Sequence, residues 1–286
     1  MKKFILRERV IYYFLPAGII LGILALYPLI RNTWLGFTNK NGEFTLANYI
    51  RVFSHRYFWN STVITLKWMV STVIGENIIG LVLAILVNKR IRGSGIFRTI
   101  FMVPWITPVI AACVVWVWMY NGDYGIIYHF FRKLTGLEIS FLSNPKTTIY
   151  WLAVVYFWKR SSFCMLMYLG GLQSVSEDIY DACKVDGVPW YRQIINMIIP
   201  LMFPIIRALL LMSIISSLNQ FTIVYSMTGG GPARTTELIQ LYIYSMGIAG
   251  FQYNFGGAAS TVFMAFVLLL SVIYIILTEK AEEDMF

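Results

Sequence analysis

Residues 177–200 read EDIYDACKVDGVPWYRQIINMIIP, a charged segment set between two strongly apolar ones. Glu177 and Asp178 suit the positive end of a helix dipole, and Ser176 just before them is a suitable N-cap. Ile179, Ala182 and Cys183 stand at i, i+3 and i+4, on one face of a helix. Small side chains at 182 and 183 let another surface approach closely. Gly187 can take the left-handed conformation that stops a helix. Pro189 fits the first turn of a second helix over 189–197. The stretch therefore predicts helix, tight turn, helix, standing in water between two membrane spans.

Composition points the same way. The chain has 286 residues, 58% hydrophobic and 13% charged, with mean hydropathy +0.67. Soluble domains carry about 25% charged residues, so lipid must cover much of this surface. Six segments are long enough to cross a hydrocarbon core, which takes about 20 helical residues. They are roughly 10–31, 60–88, 99–120, 148–172, 198–227 and 255–278. The expected fold is all-α, one polytopic transmembrane domain over 1–286. The first apolar stretch follows MKKFILRER as a signal peptide would, but no small-residue cleavage site follows it, which reads as a retained helix.

Lysine and arginine set the orientation. With the N-terminus inside, the inner side holds Lys2, Lys3, Arg7, Arg9, Lys89, Arg90, Arg92, Arg98, Lys184, Arg192 and Lys280. The outer side holds Lys40, Arg51, Arg56, Arg132, Lys133, Lys146 and Arg234. The excess is inside, so both termini are expected in the cytoplasm. The net charge of +9 is then met by the inner leaflet and calls for no nucleic acid. Cys113 and Cys164 in spans, and Cys183 in the inner loop, read as packing residues. His55 and His129 lie far apart, with no metal-ligand spacing.

The inner stretch runs Asp181-Ala182-Cys183, three residues, Gly187, nine residues, then Met197-Ile198-Ile199-Pro200. This resembles the cytoplasmic EAA loop of binding-protein-dependent ABC importer permeases, whose pattern is E-A-A-x3-G-x9-I-x-L-P. Asp181 replaces Glu, Cys183 the second Ala, Met197 the Ile and Ile199 the Leu, all close in character. Leu46-Ala47-Asn48-Tyr49 with Phe58-Trp59-Asn60-Ser61 resembles the approach to the second span of sugar permeases. Gly75-Glu76-Asn77 to Leu83-Ala84, Arg92-Gly93-Ser94-Gly95-Ile96-Phe97-Arg98 and Pro104 add weaker likeness. After the fifth segment, Gly230-Gly231-Pro232, three residues and Thr236 resemble an outer loop of the MalF-like sugar permease subgroup, with Thr235-Thr236 expected to open a helix to about Met246.

The resemblance implies EAA-type coupling helices between spans 4 and 5, within a coupling loop at 176–197. Ile179, Asp181, Ala182, Cys183, Asp186 and Gly187 would seat in a separate ATPase. It implies two ATPase subunits, a second permease that is a different chain, an extracytoplasmic solute-binding protein and a sugar solute, in a bacterial or archaeal inner membrane. ATP and Mg would bind the ATPase, and this chain would bind no cofactor. Gly229-Gly230-Gly231-Pro232 lacks the Gly-Lys-Ser/Thr of a phosphate-binding loop.

Ionisable groups within spans mark function or buried pairs. Lys67, Glu76, Lys159, Arg160 and Arg207 are such groups here. Lys159 lies ~16 Å into its span at ~1.5 Å per residue, and Glu76 is near mid-depth. Depth therefore allows a Glu76–Lys159 or a Glu76–Arg160 pair. Two readings stay open: a structural pair with a cation facing water, or a positive cavity that attracts an anionic sugar. A sugar site needs amides, hydroxyls and aromatic faces. The fifth span offers Ser216, Ser217, Asn219, Gln220, Thr222 and Tyr225. The resemblance places a substrate-contacting amide at Asn219 or Gln220. Ser260 and Thr261 follow an expected break at Gly256-Gly257, and Tyr156 and Trp158 stand beside Lys159.

Two other classes compete with the importer. An ion-coupled secondary transporter predicts repeats and intramembrane carboxylates, yet Glu76 is the only acid within a span. A membrane enzyme would need a nucleophile–base or metal constellation, and the sequence offers neither.

Overall fold

The computed structural model describes residues 15–88 and 94–283. The start of the first expected span, residues 10–14, lies outside them. So do Lys2, Lys3, Arg7, Arg9, Lys89, Arg90 and Arg92, on which the orientation largely rests. Among the described residues the chain is helical throughout, and its one extended pairing is an antiparallel bridge between Thr38 and Phe44.

Among the described residues thirteen helices follow in order. They are α1 Leu15–Gly36, α2 Ala47–Ser54, α3 Arg56–Asn88, α4 Ser94–Ile106, α5 Val109–Tyr120, α6 Ile126–Thr135 and α7 Thr148–Ser174. Then come α8 Glu177–Val185, α9 from Trp190–Arg192 through the π-helical turn Gln193–Ile198 to Ile199–Leu201, α10 Phe203–Leu218, α11 Thr222–Thr228, α12 Ile239–Ala249 and α13 Tyr253–Glu283.

Among the described residues, four stretches are long and apolar enough to cross a membrane: Leu15–Gly36, Arg56–Asn88, Phe203–Thr228 and Tyr253–Lys280. Gly95–Ile106 with Val109–Tyr120 makes a fifth if the two are one span, but they meet at 94°. The third expected span is thus broken. Pro104 lies inside α4, and Pro108 biases Thr107 away from helix at the break. Helix α7 is long enough at 27 residues, but Lys159, Arg160, Ser161 and Ser162 fall in its middle. Composition alone does not mark it as a span.

Within the stretch Phe203–Thr228 the helix is interrupted at Asn219–Phe221, between α10 and α11. Two further expectations are corrected. The helix after the Gly-Gly-Gly-Pro loop opens at Ile239, not at Thr235-Thr236, because residues 230–237 are tied into turns. Thr236 donates from its backbone to Gly230 O and from its hydroxyl to Gly231 O. Gly256-Gly257 does not break α13. A Cβ on Gly256 would meet the Gly247 Cα at 2.6 Å, and one on Gly257 the Asn32 carbonyl at 2.7 Å. These glycines let backbones approach, as small residues do between membrane helices.

Contacts divide the chain into two units. One holds the described residues up to Trp59 with Tyr242–Phe266. In it, Asn254 Nδ2 donates to Leu35 O and Thr38 O, Tyr242 OH meets His55 Nδ1 at 2.8 Å, and Arg51 lies over the Phe255 ring. The other holds Asn60–Leu241 with the described residues from Val267 on. Its core gathers Ala84 and Val87 of α3, Cys164, Met165 and Leu169 of α7, and Met202 and Leu209. Gly80 brings α3 and α7 together, since a Cβ there would collide with Cys164 Cβ.

Candidate functional site

A polar layer runs through the apolar core of the larger unit. Helix α3 contributes Thr72, Glu76 and Asn77, α10 contributes Ser213, Ser216 and Ser217, and α7 contributes Arg160 and Tyr168. Thr72 Oγ1 meets Ser217 Oγ at 2.6 Å, Asn77 Nδ2 donates to Ser213 Oγ, and Tyr168 OH donates to Asn77 Oδ1. Polar groups inside a membrane protein must be satisfied internally, and Thr72, Asn77 and Tyr168 each do so by reaching across to another helix.

Glu76 and Arg160 form the charged part of this layer. Arg160 Nε lies 3.5 Å from Glu76 Oε2, an ion pair rather than a hydrogen bond. The Glu76 side chain is fully buried at 0%, while Arg160 keeps 21% exposure. Arg160 also donates toward Ser216 Oγ at 3.4 Å and lies over the Phe163 ring.

Lys159, one residue away, points elsewhere. Its ammonium donates to the carbonyls of Pro104, Trp105 and Thr107, at the 94° break of the third span. The last carbonyls of a helix lack intrahelical partners and carry its negative dipole end. Lys159 caps α4 from the side. Of the two pairs that depth allowed, only Glu76–Arg160 is formed.

The break between α10 and α11 carries the expected amides. Asn219 terminates α10, and its Nδ2 donates to Ile215 O. Its Oδ1 accepts from Gln240 Nε2 at 3.0 Å, a partner in α12 that the sequence reading did not single out. The Gln220 amide nitrogen is buried with no hydrogen-bond partner among the described residues. Phe221 and Tyr225 stack at 5.0 Å with rings 17° apart, and Tyr225 remains exposed. Irregular backbone at membrane depth is tolerated where protein buries it or where it lines a watery cavity.

Other expected residues lie apart from this cluster. Trp158 packs edge-on against Trp116, and Tyr156 is buried against Trp68. Ser260 belongs to the smaller unit, where it accepts from Asn32 Nδ2 at 2.7 Å.

Residues 176–201 form the expected helix–turn–helix. Gly187 sits at φ +63°, Gly187 N–H donates to Lys184 O, and Val188 N–H donates to Cys183 O. Those two bonds are a Schellman closure, which satisfies the last carbonyls of α8. Ser176 has the extended N-cap backbone, but its hydroxyl makes no capping bond. Pro189 takes the N-cap position, not the first turn, and α9 starts at Trp190. Asp181, Ala182 and Asp186 are exposed, Ile179 is half-buried, and Asp181 pairs with Lys184 at 2.7 Å. Cys183 is buried within the chain instead of standing with Ala182 on an outward face. The outward apolar residue is Val185, 87% exposed, with Trp190 nearby in sequence. Tyr180 OH donates to Leu172 O at the end of α7. Burial pushes this phenol above its ordinary pKa, partly offset by a hydrogen bond with Asn88 of α3.

Comparison with known proteins accords with this geometry. Residues 76–285 match the family described as binding-protein-dependent transport system inner membrane component. The trehalose/maltose transport system permease protein MalF of Thermococcus litoralis is 30% identical over 267 residues, covering 91% of this chain and 90% of that protein. The sulfoquinovosyl glycerol transport system permease protein SmoG of Agrobacterium fabrum is 29% identical over 91% of this chain and 87% of its own length. A chain of a bacterial alginate ABC transporter, crystallised with an alginate pentasaccharide-bound periplasmic protein, superposes with TM-score 0.87 over 99% of this chain and 98% of that one. At 20% identity this last likeness concerns the fold alone. With a family match over most of its length and a relative at 30% identity, the chain belongs to the binding-protein-dependent transport system inner membrane components, the permeases of ABC importers.

Proposed function

We propose that this chain is one of two permease subunits of an ATP-driven importer that carries a sugar across a bacterial or archaeal cytoplasmic membrane. It crosses the membrane six times, with α7 as the fourth span and both termini inside. Helix α7 holds its charges by internal pairing, which supports placing it within the membrane despite its composition.

The observation that carries the coupling role is the inner tip. A Schellman-closed helix presents Asp181, Ala182, Val185 and Asp186 outward and is tethered behind by Tyr180 to α7 and α3. Such a rigid projection can pass the motion of a separate ATPase to the spans. Closure of two ATPase subunits would then bias the pathway between inward- and outward-facing states. ATP and Mg bind those subunits, and a solute-binding protein delivers the sugar outside.

Asn219, Gln220 and Tyr225, joined by Gln240, are the residues proposed to meet the solute. Lys159 and Arg160 are engaged by carbonyls and by Glu76, which supports the structural reading of these charges over a positive cavity. The same pairing disfavours ion-coupled transport, which needs an available intramembrane acid.

Affinity purification of the full chain from native membranes in mild detergent tests the proposal. The expected result is an ATPase and a second permease that accompany the wild-type chain, with the ATPase lost from Gly187→Asp. A chain that purifies alone in both forms contradicts it.

A further inference from the structure

Helix α6, Ile126–Thr135, has an apolar arc wider than the protein covers. Its residues divide into three sectors at the helical period of about 100° per residue. Ile127, Tyr128 and Phe131 form the first, and the Phe131 ring lies 5.9 Å from the rings of both Phe141 and Trp151. Ile126, Phe130 and Leu134 form the second, beside the first, and stand 70%, 60% and 67% exposed. His129, Arg132 and Lys133 form the third, an exposed polar sector, with Lys133 bordering the exposed apolar one.

A surface helix bordered by water alone would be polar in its second sector. One that lies at a junction of protein, lipid and water needs all three sectors. The surroundings are those of a membrane boundary. Residues 121–125 join α6 to α5, which itself exposes Ile110, Val114, Val115 and Trp118 as a lipid-facing side would. Tyr124 before α6 and Tyr150 in the first turn of α7 are exposed aromatics of the kind that gather at headgroup level.

We infer that α6 lies in the outer headgroup layer of the membrane. Ile126, Phe130 and Leu134 sit among the upper acyl chains, at the depth of about 5–10 Å usual for interfacial helices. Lys133 lies at the level of the lipid phosphates. Arg132 is turned back to Glu138, 3.0 Å away. The inference rests on the membrane orientation proposed above, and it assigns the partner of this surface as lipid, not a second protein.

The test uses single-cysteine variants of the full chain in its purified complex, with Cys113, Cys164 and Cys183 first replaced by Ala. Phe130→Cys, Leu134→Cys and Leu268→Cys each carry an environment-sensitive fluorophore in phospholipid vesicles. Leu268 is an exposed position of α13 and serves as the span reference. The expected result is strong quenching at 130 and 134 by lipid with a nitroxide high on the acyl chain. Lipid with the nitroxide near the chain end should quench these two at least twofold less, and aqueous iodide hardly at all. Access of iodide to 130 and 134 would overturn the inference, because the stripe would then stand in water. Shielding from iodide and from both lipids would also overturn it, because another protein would then cover the stripe. If position 268 itself escapes both lipid quenchers, the membrane reading has failed, and this inference with it.

Discussion

Removing one partner of the Glu76–Arg160 pair should cost much more than removing both. At 3.5 Å and an effective dielectric of about 20, the pair attracts by about 5 kcal/mol. The two partners are not equivalent. Glu76 is fully buried, so Arg160→Gln strands a carboxylate without a counter-charge, at about 3–4 kcal/mol, within the range for broken buried pairs. Glu76→Gln leaves Arg160 with partial water access, Ser216 and the Phe163 face, so it should cost only about 1–2 kcal/mol. The double variant places two amides that can bond each other and should lie within about 1.5 kcal/mol of wild type. The coupling energy is therefore about 3.5–5 kcal/mol. Unfolding of the purified protein by a denaturing detergent, followed by helical circular dichroism, gives the four stabilities. Additivity of the two single changes within about 0.5 kcal/mol would refute the pair.

Three other outcomes follow from the same geometry. Lys159→Met removes a mid-depth charge, worth about 2.5–3.5 kcal/mol in its favour, but orphans three carbonyls at about 1–3 kcal/mol each. A net loss of about 3 kcal/mol in the same unfolding assay is expected, and equal or greater stability would contradict the capping role. Tyr180→Phe keeps the ring but unties α8 from Leu172, so transport per ATP hydrolysed should fall while hydrolysis persists. Asn219→Ala should raise the KM for uptake roughly tenfold, as loss of one buried amide contact of about 1.4 kcal/mol would, and an unchanged KM would remove Asn219 from the solute site.

The helix–turn–helix at 176–201 was the most legible part of the chain, because its signals are local. Gly187 needs positive φ, and the polar residues of 176–192 sit between apolar runs. Which small residue faces out was not legible. Ala182 and Cys183 both lie near Ile179 by spacing, at i+3 and i+4, but they point about 100° apart and only packing decides that Cys183 turns inward. Glu76 and Arg160 were legible as a candidate pair from depth. Lys159 was not resolved from Arg160, because neighbours on a helix share a depth but differ by about 100° in direction. Its true partners exist only because the third span breaks, and Pro104 with Pro108 was the signal for that break. Gln240 follows a turn-rich loop whose path back to Asn219 no periodicity encodes. The pair Gly256-Gly257 was read as a helix break, whereas close contact with Gly247 and Asn32 is what requires it.

If motion at the tip 177–201 drives a sugar through this chain at the expense of ATP, it will show in uptake of radiolabelled sugars into proteoliposomes holding the purified complex, with ATP inside, its solute-binding protein outside and no ion gradient. Uptake should require ATP and the binding protein and be abolished by Gly187→Asp. Uptake that proceeds without ATP, collapses with a proton gradient and survives Gly187→Asp would contradict it.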